Sequence, residues 1–138
     1  MVATSDIIAF ASGFVGKEVL CEDDANLLAA MDIGGDEAQA FFAAYARHFV
    51  VDTTGMLWFF HYKSDGSPFY RRIKPVDREG RTFAMIPVTP RLLADAATLG
   101  QWPLEYPEHQ VHVSRWPAAL MFTLLATLVL AITFLFIE

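Results

Sequence analysis

The stretch "PAALMFTLLATLVLAITFLFI", residues 117–137, carries no charged side chain in 21 positions. This run limits the possible folds more than any other feature of the chain. As a helix it extends about 31 Å at ~1.5 Å per residue, against a hydrocarbon core of about 30 Å. Twelve of its residues are Leu, Ile, Val or Phe. Each favours insertion near the bilayer centre by roughly 0.3–0.6 kcal/mol, so the sum outweighs the cost of three threonines. The alternative, a buried core helix, needs a domain large enough to surround a segment that is apolar on every side. The rest of a 138-residue chain is too small for that. The expected organisation is a domain over 1–104, a juxtamembrane linker over 105–115 and a transmembrane helix over 116–137.

Only Glu138 follows the run, while Arg115 and Trp116 precede it. The positive-inside bias then expects a single-pass protein of the inner (cytoplasmic) membrane, with its N-terminal domain in the cytoplasm. The N-terminal apolar stretch has Asp6 where a signal peptide needs Lys or Arg. Cys21 is the sole cysteine, which precludes an internal disulfide and fits a reducing compartment.

The net charge of −6 divides unevenly: residues 1–60 sum to −7, residues 61–91 to +4 and the remainder to −3. An acidic chain argues against nucleic acid as a partner. Within the soluble part, Ile7, Phe10, Ala11, Phe14 and Val15 recur at helical spacing, with Ser5 as the expected N-cap and Gly16 as the stop. An acidic loop follows, long enough to need a short helical turn of its own. Asp36, with Gln39 three residues on, is expected to cap a second helix whose stripe is Ala38, Phe41, Phe42, Tyr45, Ala46 and Phe49. "VVDTTGMLWFFHY" is consistent with a short helix or a strand. Two β-compatible runs around Asp77–Gly80 predict an inserted hairpin over about 67–88, with Pro75 and Pro87 at its edges. Thr89, Pro90 and Gly100 punctuate a final helix with Leu92, Leu93, Ala96 and Ala97 facing inward.

The order helix, acidic loop, helix, short segment, helix resembles acyl carrier proteins. "MDIGGDEAQAFF" is similar to the Leu-Gly-x-Asp-Ser-Leu-Asp pattern at the entrance of the second carrier helix, and "VTPRLLADAA" to the start of the last one. Gly35-Asp36-Glu37-Ala38 and Gly100-Gln101-Trp102 resemble two short motifs of a bacterial family of acyl-carrier-like proteins of unknown function. The resemblance covers residues 5–62 and 86–102. It implies a mainly α, acyl-carrier-like bundle, here interrupted by the hairpin and extended by the transmembrane helix. It also implies a phosphopantetheine-bearing serine, and Gly35 occupies that position. Glycine has no hydroxyl to esterify, so no cofactor is expected.

Docking comes next. Asp23, Asp24, Asp32, Asp36 and Glu37 surround the helix entrance, and a comparable acidic face on carriers docks basic partner enzymes. The plain alternative is a solvated loop with acids favoured by the helix dipole. Arg71, Arg72, Lys74, Arg78 and Arg81 hold half of all basic residues in eleven positions. They suit anionic headgroups, an acidic partner, or protection of a strand edge. His109 and His112, with Glu105 and Glu108, have metal-compatible spacing, but Pro107 interrupts it; no metal is assigned. Ala119, Thr123, Thr127 and Ala131 repeat every four residues, a row that permits close approach of another helix. No Gly-x-Ser-x-Gly, paired-cysteine or phosphate-loop motif occurs. The expected function is a non-enzymatic, membrane-anchored interaction module contacting the bilayer and a membrane-associated protein. The alternative is a structural or regulatory subunit assembled through the membrane helix and the basic hairpin, in a complex or a homo-oligomer.

Overall fold

A computed structural model describes residues 1–63, 72–114 and 116–137. Helices α1 (Thr4–Val15), α2 (Leu27–Met31), α3 (Gly35–Phe49), α4 (Pro90–Leu99) and α5 (Trp116–Phe136) make up about half the chain. A 3-10 turn, Trp58–Phe60, and strands β1 (Arg72–Val76) and β2 (Gln110–Ser114) complete the order.

The head is built on apolar stripes. α1 buries Ile7 and Ala11, and α3 buries Ala38, Phe41, Phe42 and Tyr45. α4 contributes Leu93, Ala94 and Ala96, and α2 adds Leu27, Leu28 and Met31. Phe41 is the hub, with ring centroids of Phe10, Phe14, Phe42 and Tyr45 between 5.4 and 6.4 Å away. The connecting segments are stitched to this core by backbone bonds. Leu27 N–H donates to Val88 O at 2.7 Å, Arg91 N–H to Asp23 O at 3.1 Å and Asp52 N–H to Gly100 O at 2.9 Å. Such pairing leaves few buried amides unsatisfied in the long loops.

Of four helix boundaries, the two of α4 fall where the sequence expects them and the starts of α1 and α3 do not. The Thr89 side chain accepts from Leu92 N–H at 3.0 Å with Pro90 in the first turn, as the sequence predicts, and Gly100 ends α4 at φ +76°. α1 does not start on Ser5: Ala3 is its N-cap, and the Asp6 carboxylate accepts the Ala3 N–H at 2.9 Å. α3 does not start on Asp36 either. Extended Gly34 is the N-cap and Gly35 opens the helix at φ +51°, which puts Asp36 one position inside. Two glycines supply a backbone that the Asp36–Gln39 capping pair would not.

The hairpin is the main correction. Its turn forms: Gly80 N–H donates to Asp77 O at 3.1 Å, Gly80 adopts φ +80°, and Val76 bridges Thr82. Beyond that bridge the second run does not continue as a strand. Ile86 N–H instead donates to Phe60 O at 2.7 Å, and β1 pairs antiparallel with β2, in the register Ile73↔Val113, Lys74↔His112, Pro75↔Val111. The stretch read as a linker is therefore partly strand. Pro75 removes a donor from β1, and the alternating Val111 and Val113 supply a better β surface than "AMIPV". Directly opposite residues share a face, so Ile73, Pro75, Val111 and Val113 line one side of the ribbon and Lys74 and His112 the other.

α5 stands apart from the core. Its window Ala119–Phe136 has mean hydropathy 2.5 and none of it is buried within the chain. This helix is long and apolar enough to span a membrane. The flanking residues Arg115 and Glu138, on which the topology expectation rests, lie outside the described residues.

Candidate functional site

Tyr62 marks the place where the head opens to solvent. Its ring stacks on Phe42 of α3 at 6.0 Å and 15°, and leans on Trp58 at 5.5 Å and 34°. A groove of about 500 Å³ opens at the entrance of α3, where Gly35, Asp36 and Gln39 face Phe42, Met56 and Trp58. A second groove, of about 590 Å³, lies between the 3-10 turn, β1 and residues 82–85. A third, of about 390 Å³, shares Gly35 and Tyr62 with the first, and Tyr62, Lys63 and Met85 with the second. These volumes fall within the range of small-ligand clefts.

A buried polar chain holds this segment in place. His61 is 3% exposed. Its Nδ1 lies 3.0 Å from Ile86 O and its Nε2 lies 2.7 Å from the Tyr106 hydroxyl. A carbonyl only accepts, so Nδ1 carries the proton and bare Nε2 accepts from Tyr106. The Tyr106 oxygen in turn accepts from Trp102 Nε1–H at 2.8 Å. Burial pushes the His61 pKa below its ordinary value, against a smaller opposing effect of the Ile86 bond. Both ring nitrogens are engaged, so His61 positions Tyr62 and Lys63 rather than offering a free base. Burial also raises the pKa of the Tyr62 and Tyr106 phenols. The grooves present aromatic faces, two thioethers, one carboxylate on the α3 side and lysines on the β1 side.

The expected docking acids separate into two groups. Asp32 ends α2 in a left-handed conformation, φ +55°, and is exposed, as are Asp36 and Glu37 in the first turn of α3. Asp23 and Asp24 are instead fastened to the start of α4. Asp24 Oδ1 accepts from Arg91 Nε at 2.7 Å, and that bond holds the Asp24 carboxyl below its ordinary range. The basic residues do not form one free patch. Arg78 meets Glu108 at 2.7 Å, and Arg81 meets Asp77 at 3.0 Å and Glu79 at 3.4 Å. The arginines of these pairs are exposed, and such pairs are individually weak. Lys74 is exposed on β1, Arg71 lies outside the described residues, and only the backbone of Arg72 is described. Ala119, Thr123, Thr127 and Ala131 are exposed on α5. The hydroxyls of Thr123 and Thr127 donate to carbonyls three and four residues back, at 2.9 to 3.0 Å. These two hydroxyls are thus satisfied within the helix itself.

The aromatic grooves are what sequence reasoning missed. The density of "MLWFFHY" signals burial, but its lack of periodicity gives no direction to any ring. The alternation in "QVHVS" was the available sign of β2. Compared with protein-family models, curated proteins and solved structures, the chain has no match, and its likeness to acyl carriers rests on the short motifs quoted above.

Proposed function

We propose that this chain is a membrane-anchored, non-enzymatic interaction module. In this reading α5 spans the bilayer, and the head presents the α3 entrance to a membrane-associated protein. The observation that carries the proposal is the α3 groove itself. Asp36 lines a cleft walled by Phe42, Met56, Trp58 and Tyr62, and the exposed Asp32 and Glu37 are near Asp36 in the chain. An apolar floor with an acidic rim fits a partner segment that combines basic and apolar side chains. Anchoring both molecules in one membrane raises their effective concentration, so a shallow cleft suffices. The likeness to acyl carriers supports the same surface, and Gly35 at the expected serine position supports recognition without covalent cargo.

The test is photo-crosslinking in native membranes from a probe at Gln39, comparing the wild-type chain with the triple variant Asp32→Lys, Asp36→Lys, Glu37→Lys. Loss of a discrete crosslinked protein in the variant, with unchanged membrane recovery, is the expected result. An unchanged adduct rejects the α3 surface. A second reading, a subunit assembled through the membrane helix, draws on the exposed stretch Ala119–Phe136 of α5 and its small-residue row. In that case Thr123→Leu with Thr127→Leu abolishes assembly and the acid reversals do not.

A further inference from the structure

We infer that the groove between the 3-10 turn, β1 and residues 82–85 binds a single anionic amphiphile, an acyl chain carrying a carboxylate or phosphate head. Phe59, Tyr62, Ile73, Pro75, Phe83 and Met85 give it an apolar portion beside polar surface, and the open groove measures about 590 Å³. Lys63 and Lys74 also belong to its lining, and both are exposed. Their situation differs from that of the neighbouring arginines. Arg78, Arg81 and Arg91 each meet a carboxylate within 3.4 Å, whereas among the described residues no carboxylate pairs with Lys63 or Lys74. Two lysines that meet no carboxylate among the described residues, in the lining of a groove with aromatic and aliphatic side chains, on a chain of net charge −6, suit a ligand with a negative head and a greasy body.

The location strengthens the assignment and rests on the reading of α5 as the anchor. β1, one wall of the groove, is paired with β2, and Val113 lies three residues before the start of α5. At ~3.3 Å per residue the Ile73↔Val113 end of the ribbon can be no farther than about 10 Å from the helix. Amphiphiles partitioned into the bilayer are therefore at high local concentration next to the groove.

The test places the full chain in phosphatidylcholine nanodiscs and adds one of three diazirine-labelled probes: palmitate, phosphatidylglycerol or phosphatidylcholine. Photolabelled peptides are then mapped by mass spectrometry. Labelling of residues 73–85 by palmitate or phosphatidylglycerol is expected. Palmitate alone would identify a free fatty acid as the source, and phosphatidylglycerol alone a bilayer lipid. The double variant Lys63→Glu, Lys74→Glu should lower this labelling about tenfold while leaving α5 labelling unchanged. Ala84→Phe, which narrows the trough without altering charge, should lower it too; a melting curve for each variant confirms folding. Equal head labelling by phosphatidylcholine, or labelling unaffected by both variants, overturns the inference. Alkaline carbonate extraction keeps the two readings apart: a chain labelled in the groove yet released by carbonate retains this site and loses the anchor.

Discussion

Two residues carry backbone conformations that their side chains, or the lack of one, make informative. Val50 caps α3 at φ +57° and is 80% exposed. A β-branched residue in the left-handed region is disfavoured by about 1–2 kcal/mol, and no burial offsets it here. Replacing Val50 by Gly should stabilise the chain by about 0.5–1 kcal/mol after the added freedom of the unfolded state is allowed for. Denaturant midpoints of the detergent-solubilised protein check this. Gly35 shows the converse. Its φ of +51° and its buried position mean that Gly35→Ser should destabilise by roughly 1–2 kcal/mol. On the proposed reading, intact mass after co-expression with a phosphopantetheinyl transferase stays unmodified in the wild-type chain. His61 supplies the pH dependence. Its pKa in the fold lies below the ordinary 6.5, so the unfolded chain takes up a proton first as pH falls. Its contribution to stability is complete above 6.5 and fades as pH drops from there toward the lowered value. Melting temperature should fall across that window, and His61→Gln should flatten the slope.

At the scale of elements, the helices follow their apolar spacing, and α4 its caps as well, whereas the pairing of the strands is not a local matter. α4 is legible because Thr89, Pro90 and Gly100 act through bonds within a few residues of themselves. β1 is different, because a strand's partner is chosen by the whole chain. Residues 82–88 are close in sequence, but Ile86 N–H is already committed to Phe60 O, and Val111 and Val113 present the matching alternation. The pairing is open to a direct check. In a Cys21→Ser background, Lys74→Cys with His112→Cys should form an intramolecular disulfide on mild oxidation, since the two positions are opposed. Absence of the two-hydrogen mass loss would contradict the register.

For the molecule as a whole, the deciding contrast is between a core that closes on itself and a helix that does not. Phe41, Tyr45, Leu93 and Ile7 are fully buried, while every residue of α5 from Ala119 to Phe136 faces outward. A single charge near the middle of that helix should be costly. Leu128→Arg is expected to weaken insertion by about 3–4 kcal/mol, seen as a shift of the full chain from the membrane pellet to the carbonate-soluble fraction.

By itself, the sequence determined the features that depend on neighbours along the chain. These are the apolar length of α5, the stripe of α3, the caps of α4 and the tight turn at Gly80. Each arises from spacing or backbone preference acting within a few residues. Tertiary structure alone decided which strand β1 joins, which acids and arginines neutralise one another, and how three grooves come to share the Tyr62 ring. Those outcomes depend on contacts between residues far apart in the chain, where charge and hydrophobicity state a need but leave the partner unspecified.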